Sequence, residues 1–165
     1  MFLNRQVLRY CPWGSLRILV EFYRPPADLY ADLGESEIDI GEKGAKCELI
    51  YTNRYQDLHV AALAFEHPSV DFYESRRRIR LRLKLSFVVG EREVLARIYE
   101  GKWEPFLRKT PTGLIPGLIL GSYSCPADLP LDRPVLLRVS VVEADQDLKH
   151  EMGDARIVVW RRASM

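Results

Sequence analysis

No apolar stretch in this chain of 165 residues approaches the roughly 18 residues that a helix needs to cross a bilayer, so a transmembrane helix is excluded. An excess of one charge is missing as well: 24 Lys and Arg stand against 23 Asp and Glu, a net charge of +1. A general nucleic-acid binder carries a marked basic excess, so any basic effect here must come from a local patch. Cysteine is scarce. Cys11, Cys47 and Cys125 are the whole set, and an odd count leaves at least one thiol unpaired within the chain. Cys47 and Cys125 lie in apolar, strand-like contexts, which points to buried reduced thiols, with one Cys47–Cys125 bridge left open for an oxidising compartment. No CxxC occurs, and His59, His67 and His150 are scattered, so neither a metal site nor a cofactor is expected. A Gly-x-Ser-x-Gly elbow, an HExxH helix, a P-loop and a dinucleotide fingerprint are all absent, and the expectation is a protein that is not an enzyme. The opening MFLNRQVLRYC is interrupted by Arg5 and Arg9 and lacks the apolar centre and cleavage site of a signal peptide. As given, this points to the cytoplasm; a start further upstream would point to the envelope.

What the chain does have is alternation. From Arg76 to Val89, Ile79, Leu81, Leu83, Leu85 and Phe87 alternate with Arg78, Arg80, Arg82, Lys84 and Ser86. A period of two over ten residues marks a strand with one face in a core and one in water, here a wet face of positive charge. Such half-wet strands belong to antiparallel sheets. Leu16, Ile18, Val20 and Phe22 form another alternating run, stopped by Pro25-Pro26. Residues 27–35 read as acidic and irregular. Short strands are predicted over Ser36–Glu42 and Lys46–Thr52, separated by the turn Gly41–Gly44. Leu58–Glu66 is apolar on both faces, as a central strand would be. Gly90-Glu91 turns the chain into Val94–Tyr99. Leu118–Pro126 reads as a strand, and Val135, Leu137, Val139 and Val141 define another. Asp145–Met152 reads as one or two helical turns, capped by Asp145 and closed by Gly153, before a last strand over Arg156–Arg161. The fold class is therefore all-β: an antiparallel sandwich, Ig-like or of jelly-roll type, with about eight or nine strands and at most one or two short helical turns. The proline-broken first strand and the Arg-rich strand read as edge protections, which favours a sandwich over a barrel. The chain is long enough for a single domain only.

Two segments carry a resemblance. Glu37–Glu66 places Tyr51, Arg54, Tyr55, His59, Leu63 and Phe65 in the pattern Y-x-x-R-Y…H-x-x-x-L-x-F. The C-terminal piece offers Leu120-Gly121-Ser122-Tyr123, Pro130-Leu131, Val135–Glu143 with Asp145, and Gly153–Trp160. Over about half of the chain these resemble a family of small bacterial envelope β-sandwich proteins. The resemblance implies a sandwich and, from relatives near interbacterial toxin genes, an immunity or accessory role. Members of that family usually begin with a lipoprotein signal, which this chain lacks.

Two surfaces are candidates for binding. The segment Gly101–Gly117 shows no period and reads as a long irregular loop carrying Trp103 and Phe106, with Lys102, Arg108 and Lys109 beside them. Large apolar side chains in such a loop either fold back on the core or anchor a partner. The ladder Arg78, Arg80 and Arg82 offers a face for an anion or an acidic protein. Aromatic platforms are absent from that face, which disfavours nucleic acid. Glu91 and Glu93, just past the hairpin, are candidate partners for some of these cations. The acids Glu143, Asp145, Asp147 and Asp154 lack the glycine and closing glutamate of a calcium loop, so helix capping is expected of Asp145. The leading expectation is a non-enzymatic β-sandwich that binds another protein, an acidic one being one option. The competing one is a small-ligand or enzymatic barrel with an internal site lined by Tyr51, Tyr55, His59 and Tyr123.

Overall fold

The structure, a computed structural model, describes residues 28–29, 31–66, 79–102, 104–110 and 113–162. Among them are nine strands and one helix: β1 (Asp32–Ile38), β2 (Lys46–Thr52), β3 (Asp57–Phe65), β4 (Arg82–Val89), β5 (Arg92–Glu100), β6 (Pro105–Thr110), β7 (Gly113–Cys125), β8 (Pro134–Glu143), α1 (Gln146–Met152) and β9 (Ala155–Arg161). They form a five-stranded sheet of order β1-β9-β3-β7-β6 and a four-stranded sheet of order β2-β8-β4-β5. Every pairing is antiparallel. This is the all-β sandwich that the alternating runs predict. The expected strand over Leu16–Phe22, the residues Cys11, His67, Arg78 and Trp103, and the first part of the Arg ladder lie outside the described residues.

The alternation decides which way each strand faces. Ile79, Leu81, Leu83, Leu85 and Phe87 are buried, as are Val135, Leu137, Val139 and Val141 of β8. They meet Leu63, Phe65, Leu118, Ile157 and Val159 of the other sheet in one continuous core. Burial of each such side chain stabilises the fold by roughly 1.5–3 kcal/mol. A slip of one residue would turn the charges inward, so the register is strongly set. The five-stranded sheet also buries its second face, where Val60, Ala62, Ala64, Val158 and Trp160 cluster with Phe106 and Ile119. That explains why Leu58–Glu66 is apolar on both sides: β3 lies between β9 and β7. The helix follows its caps. Asp145 accepts from the Leu148 N–H at 2.9 Å, and Gly153, at a φ of 72°, donates its N–H to the Lys149 carbonyl.

Four expectations are corrected. The segment Gly101–Gly117 is no irregular loop, since β6 and the start of β7 pair across it as a hairpin. Its prolines hid this. Pro105 opens an edge strand, and Pro116 faces Leu107 on a part of β7 that overhangs β3, where no central ladder loses a donor. Gly117 sits where the β7 backbone passes β3: a Cβ there would lie 2.1 Å from the Leu63 carbonyl oxygen. The Arg-rich strand is not an edge, because β4 lies between β8 and β5. Alternation reports a strand's faces, not its place in a sheet. The stretch read as irregular is in part a strand, since β1 starts at Asp32, with a register shift between Asp32 and Gly34. Finally, Ser86 belongs to the outward set yet is buried, its hydroxyl donating to the Glu93 carboxylate.

Candidate functional site

Three of the four residues proposed to line an internal site do converge. Tyr123 on β7 pairs directly with His59 on β3, and their rings stack at 5.4 Å and 8°. Phe87 meets Tyr123 edge-on at 5.3 Å. The Tyr123 hydroxyl donates to Asn53 Oδ1 at 3.0 Å, and Asn53 Nδ2 donates to the Pro130 carbonyl at 3.2 Å. Tyr51 comes close enough to Tyr123 to perturb its titration, but its hydroxyl meets no group at hydrogen-bonding geometry. The fourth residue, Tyr55, stands elsewhere, buried with Leu29, its hydroxyl on Asp28 Oδ1 at 2.8 Å. Close by, Arg161 is 1% exposed and grips the β3 entry, with Nη2 on Asp57 Oδ2 at 2.9 Å and Nε on the Gln56 carbonyl at 3.2 Å.

Tyr51, His59 and Tyr123 are buried, and burial governs how they and the two described cysteines titrate. Burial pushes the Cys47 thiol up to about 11 and the Cys125 thiol up to about 12. It also raises Tyr51 and Tyr123 and lowers His59 to about 4. An activated nucleophile needs a depressed pKa or an adjacent base, and these thiols have the opposite. Both thiols are free, so the Cys47–Cys125 bridge that the sequence left open is not formed. Among the described residues no cluster of three His, Cys, Asp or Glu side chains is placed to hold a metal, and no helix is long and apolar enough to cross a membrane.

The other candidate is the outer face of the four-stranded sheet. Its register sets three rows across β2, β8, β4 and β5: Lys46–Ser140–Lys84–Ile98, Glu48–Arg138–Ser86–Ala96 and Ile50–Leu136–Val88–Glu93. Lys46, Ser140 and Lys84 of the first row, Glu48, Arg138 and Ser86 of the second, and Glu93 of the third line a shallow trough of about 380 Å³. Ile50 is 72% exposed and Ile98 57% exposed, at opposite edges of the sheet, and Val94 and Val142 are exposed as well. Two ion pairs lie on these strands: Arg138 with Glu48 at 2.9 Å and Arg82 with Glu100 at 3.0 Å.

The residues singled out in the sequence fall on separate surfaces. Arg82 is half-buried on β4 and ion-paired to Glu100, rather than to the hairpin acids Glu91 or Glu93. Arg80 has an exposed side chain, and its N–H donates to Asp145 Oδ2 at 2.9 Å. Phe106 belongs to the other sheet, half-buried 5.0 Å from Trp160. Lys102 is exposed and ion-paired to Glu104. Arg108 and Lys109 occupy β6, with side chains outside the described residues. Sequence reading missed Ile50, Ile98, Lys46 and Ser140. The available signal was Ile50, an isoleucine in register with the outward Lys46 and Glu48.

Fold and surface together define a two-sheet antiparallel β-sandwich whose four-stranded sheet presents an outer face of mixed apolar and charged chemistry. No protein-family model matches the chain, and no curated protein matches it. Among solved structures, the chain is similar to a protein from Sulfurospirillum deleyianum known from its crystal structure. The two are 8% identical with a TM-score of 0.54, and the likeness covers 79% of this chain and 97% of that one. At that identity the likeness shows the fold alone.

Proposed function

We propose that this chain is a protein-binding module that docks its partner on the outer face of the four-stranded sheet. The observation that carries this reading is the exposure of Ile50 and Ile98 on β2 and β5, either side of a polar trough. Strand spacing and rise put them roughly 20 Å apart on the diagonal, the span of an ordinary interface patch. Large apolar anchors within a polar surround are the usual composition of a binding hot spot. The edge of β5 is guarded against simple strand addition, because Arg97 lies opposite Leu85 on the core-facing side and a bulge interrupts the pairing at Glu93–Leu95. At β5, that favours binding through the face over binding through the edge. An immunity or accessory role, which rests on the sequence resemblance alone, is one setting for such binding.

The test is a double variant, Ile50→Asp with Ile98→Asp, compared with the native chain in affinity capture from the source cells. A captured protein is then purified and titrated. The reading expects binding to be lost while the melting curve is kept. Unchanged affinity in the folded variant would move the interface elsewhere, first to the sequence segment Gly101–Gly117 with Trp103, Phe106, Lys102, Arg108 and Lys109.

A further inference from the structure

The outer face holds a charge imbalance at its centre. Arg138 is tied to Glu48, Arg82 to Glu100, and the Glu93 carboxylate accepts from Ser86. Lys46 and Lys84 have neither an ion pair nor a side-chain hydrogen bond among the described residues. Both pair with the same residue, Ser140, from opposite sides. Two strand spacings put their Cα atoms about 10 Å apart, within reach of a common point above the serine hydroxyl. Both are exposed while Ser140 is half-buried, so the hydroxyl forms the floor and the two ammonium groups the walls. At the end of the same row lies Ile98, directly opposite Lys84.

We infer that Lys46, Ser140 and Lys84 form a clip for a carboxylate carried by an acidic segment of the partner, with an apolar side chain of that segment resting on Ile98. This rests on the docking reading and names the chemistry of its occupant. Charge complementarity selects an acidic segment, since Arg138 and Glu48 cancel and the two lysines outnumber Glu93, whose carboxylate is occupied by the Ser86 hydroxyl. Two like charges that share one serine repel each other in the free protein, and an anion between them reverses that repulsion.

The experiment uses the full chain and three short fluorescent peptides read by anisotropy: one of Glu and Leu, one of Ser and Leu, and one of Lys and Leu. The Glu–Leu peptide is expected to bind at least about tenfold more tightly than the Ser–Leu peptide, and to weaken steeply with added salt. Lys46→Glu with Lys84→Glu should abolish that preference and favour the Lys–Leu peptide. Lys46→Gln with Lys84→Gln should abolish it without reversal. Equal binding of the Glu–Leu and Ser–Leu peptides overturns the clip; if Ile50→Asp with Ile98→Asp also removes both, the docking face stands without it. Acidic preference that survives both lysine double variants overturns the assignment of these residues. Absence of binding by all three peptides counts against the clip as well.

Discussion

Acid should destabilise this protein through His59, and the structure gives the size of the effect. Nδ1 lies 3.0 Å from the Asp57 carbonyl oxygen, which only accepts, so Nδ1 carries the proton of the neutral ring. Nε2 is buried and has no partner. Protonation would place a new N–H⁺ where no described protein group accepts it, in the buried interior and near the Arg161 guanidinium. Burial is the largest cause and carries the pKa from 6.5 down to about 4; the hydrogen bond to the Asp57 carbonyl opposes it, the Arg161 charge adds a smaller push downward, and the Asp57 carboxylate a smaller one upward. Above 6.5 the ring is neutral whether the chain is folded or unfolded, and its contribution to stability is fully present. As pH falls from 6.5 towards 4 the unfolded chain takes up a proton that the folded one refuses, so stability is lost. At 1.36 kcal/mol for each tenfold step in proton affinity, the loss totals about 3 kcal/mol by pH 4. That is a large part of the ~5–15 kcal/mol that holds a typical domain together. Denaturant titrations at a series of pH values between about 4.5 and 7.5, on the native chain and on His59→Phe, isolate it. Phenylalanine keeps the stack on Tyr123 and removes the titrating group, and the carboxylates common to both proteins cancel in the difference. Parallel pH dependences in the two proteins, or an NMR titration of folded His59 near 6.5, would refute the reasoning.

Other consequences are equally measurable. Asp145→Ala removes the acceptor for the Leu148 and Arg80 N–H groups, both at 2.9 Å, and should cost about 1–3 kcal/mol in chemical denaturation. Gly117→Ala drives a Cβ to 2.1 Å from the Leu63 carbonyl oxygen, so the β3–β7 ladder must shift; a loss of about 1–3 kcal/mol or more is expected, read as a lower melting temperature. Cys47 and Cys125, buried and with thiols raised to about 11 and about 12, should resist a thiol reagent at pH 8 in the folded protein and react on unfolding, as site-resolved mass spectrometry will report.

How far the sequence could be read follows from where each residue ends up. β4 and β8 were legible because each has one wet and one dry face, which writes itself as a period of two. The helix was legible from Asp145 and Gly153, whose capping roles are local. The β6–β7 hairpin was not, because Phe106 and Ile119 pack on the second buried face of the five-stranded sheet and erase the alternation. The start of β1 was not, because Asp32, Glu35 and Glu37 are exposed on an edge strand. The outer face was least legible. Lys46, Ile50, Lys84, Ile98 and Ser140 come from four separated strands, one or two residues each, and only the register makes them neighbours.

Carbene footprinting of the chain with a verified partner tests the docking reading most directly. Labelling of Ile50, Ile98 and Val142 should fall on binding while that of Phe106 stays unchanged. Unchanged labelling at Ile50 and Ile98, with protection at Phe106 instead, would contradict it.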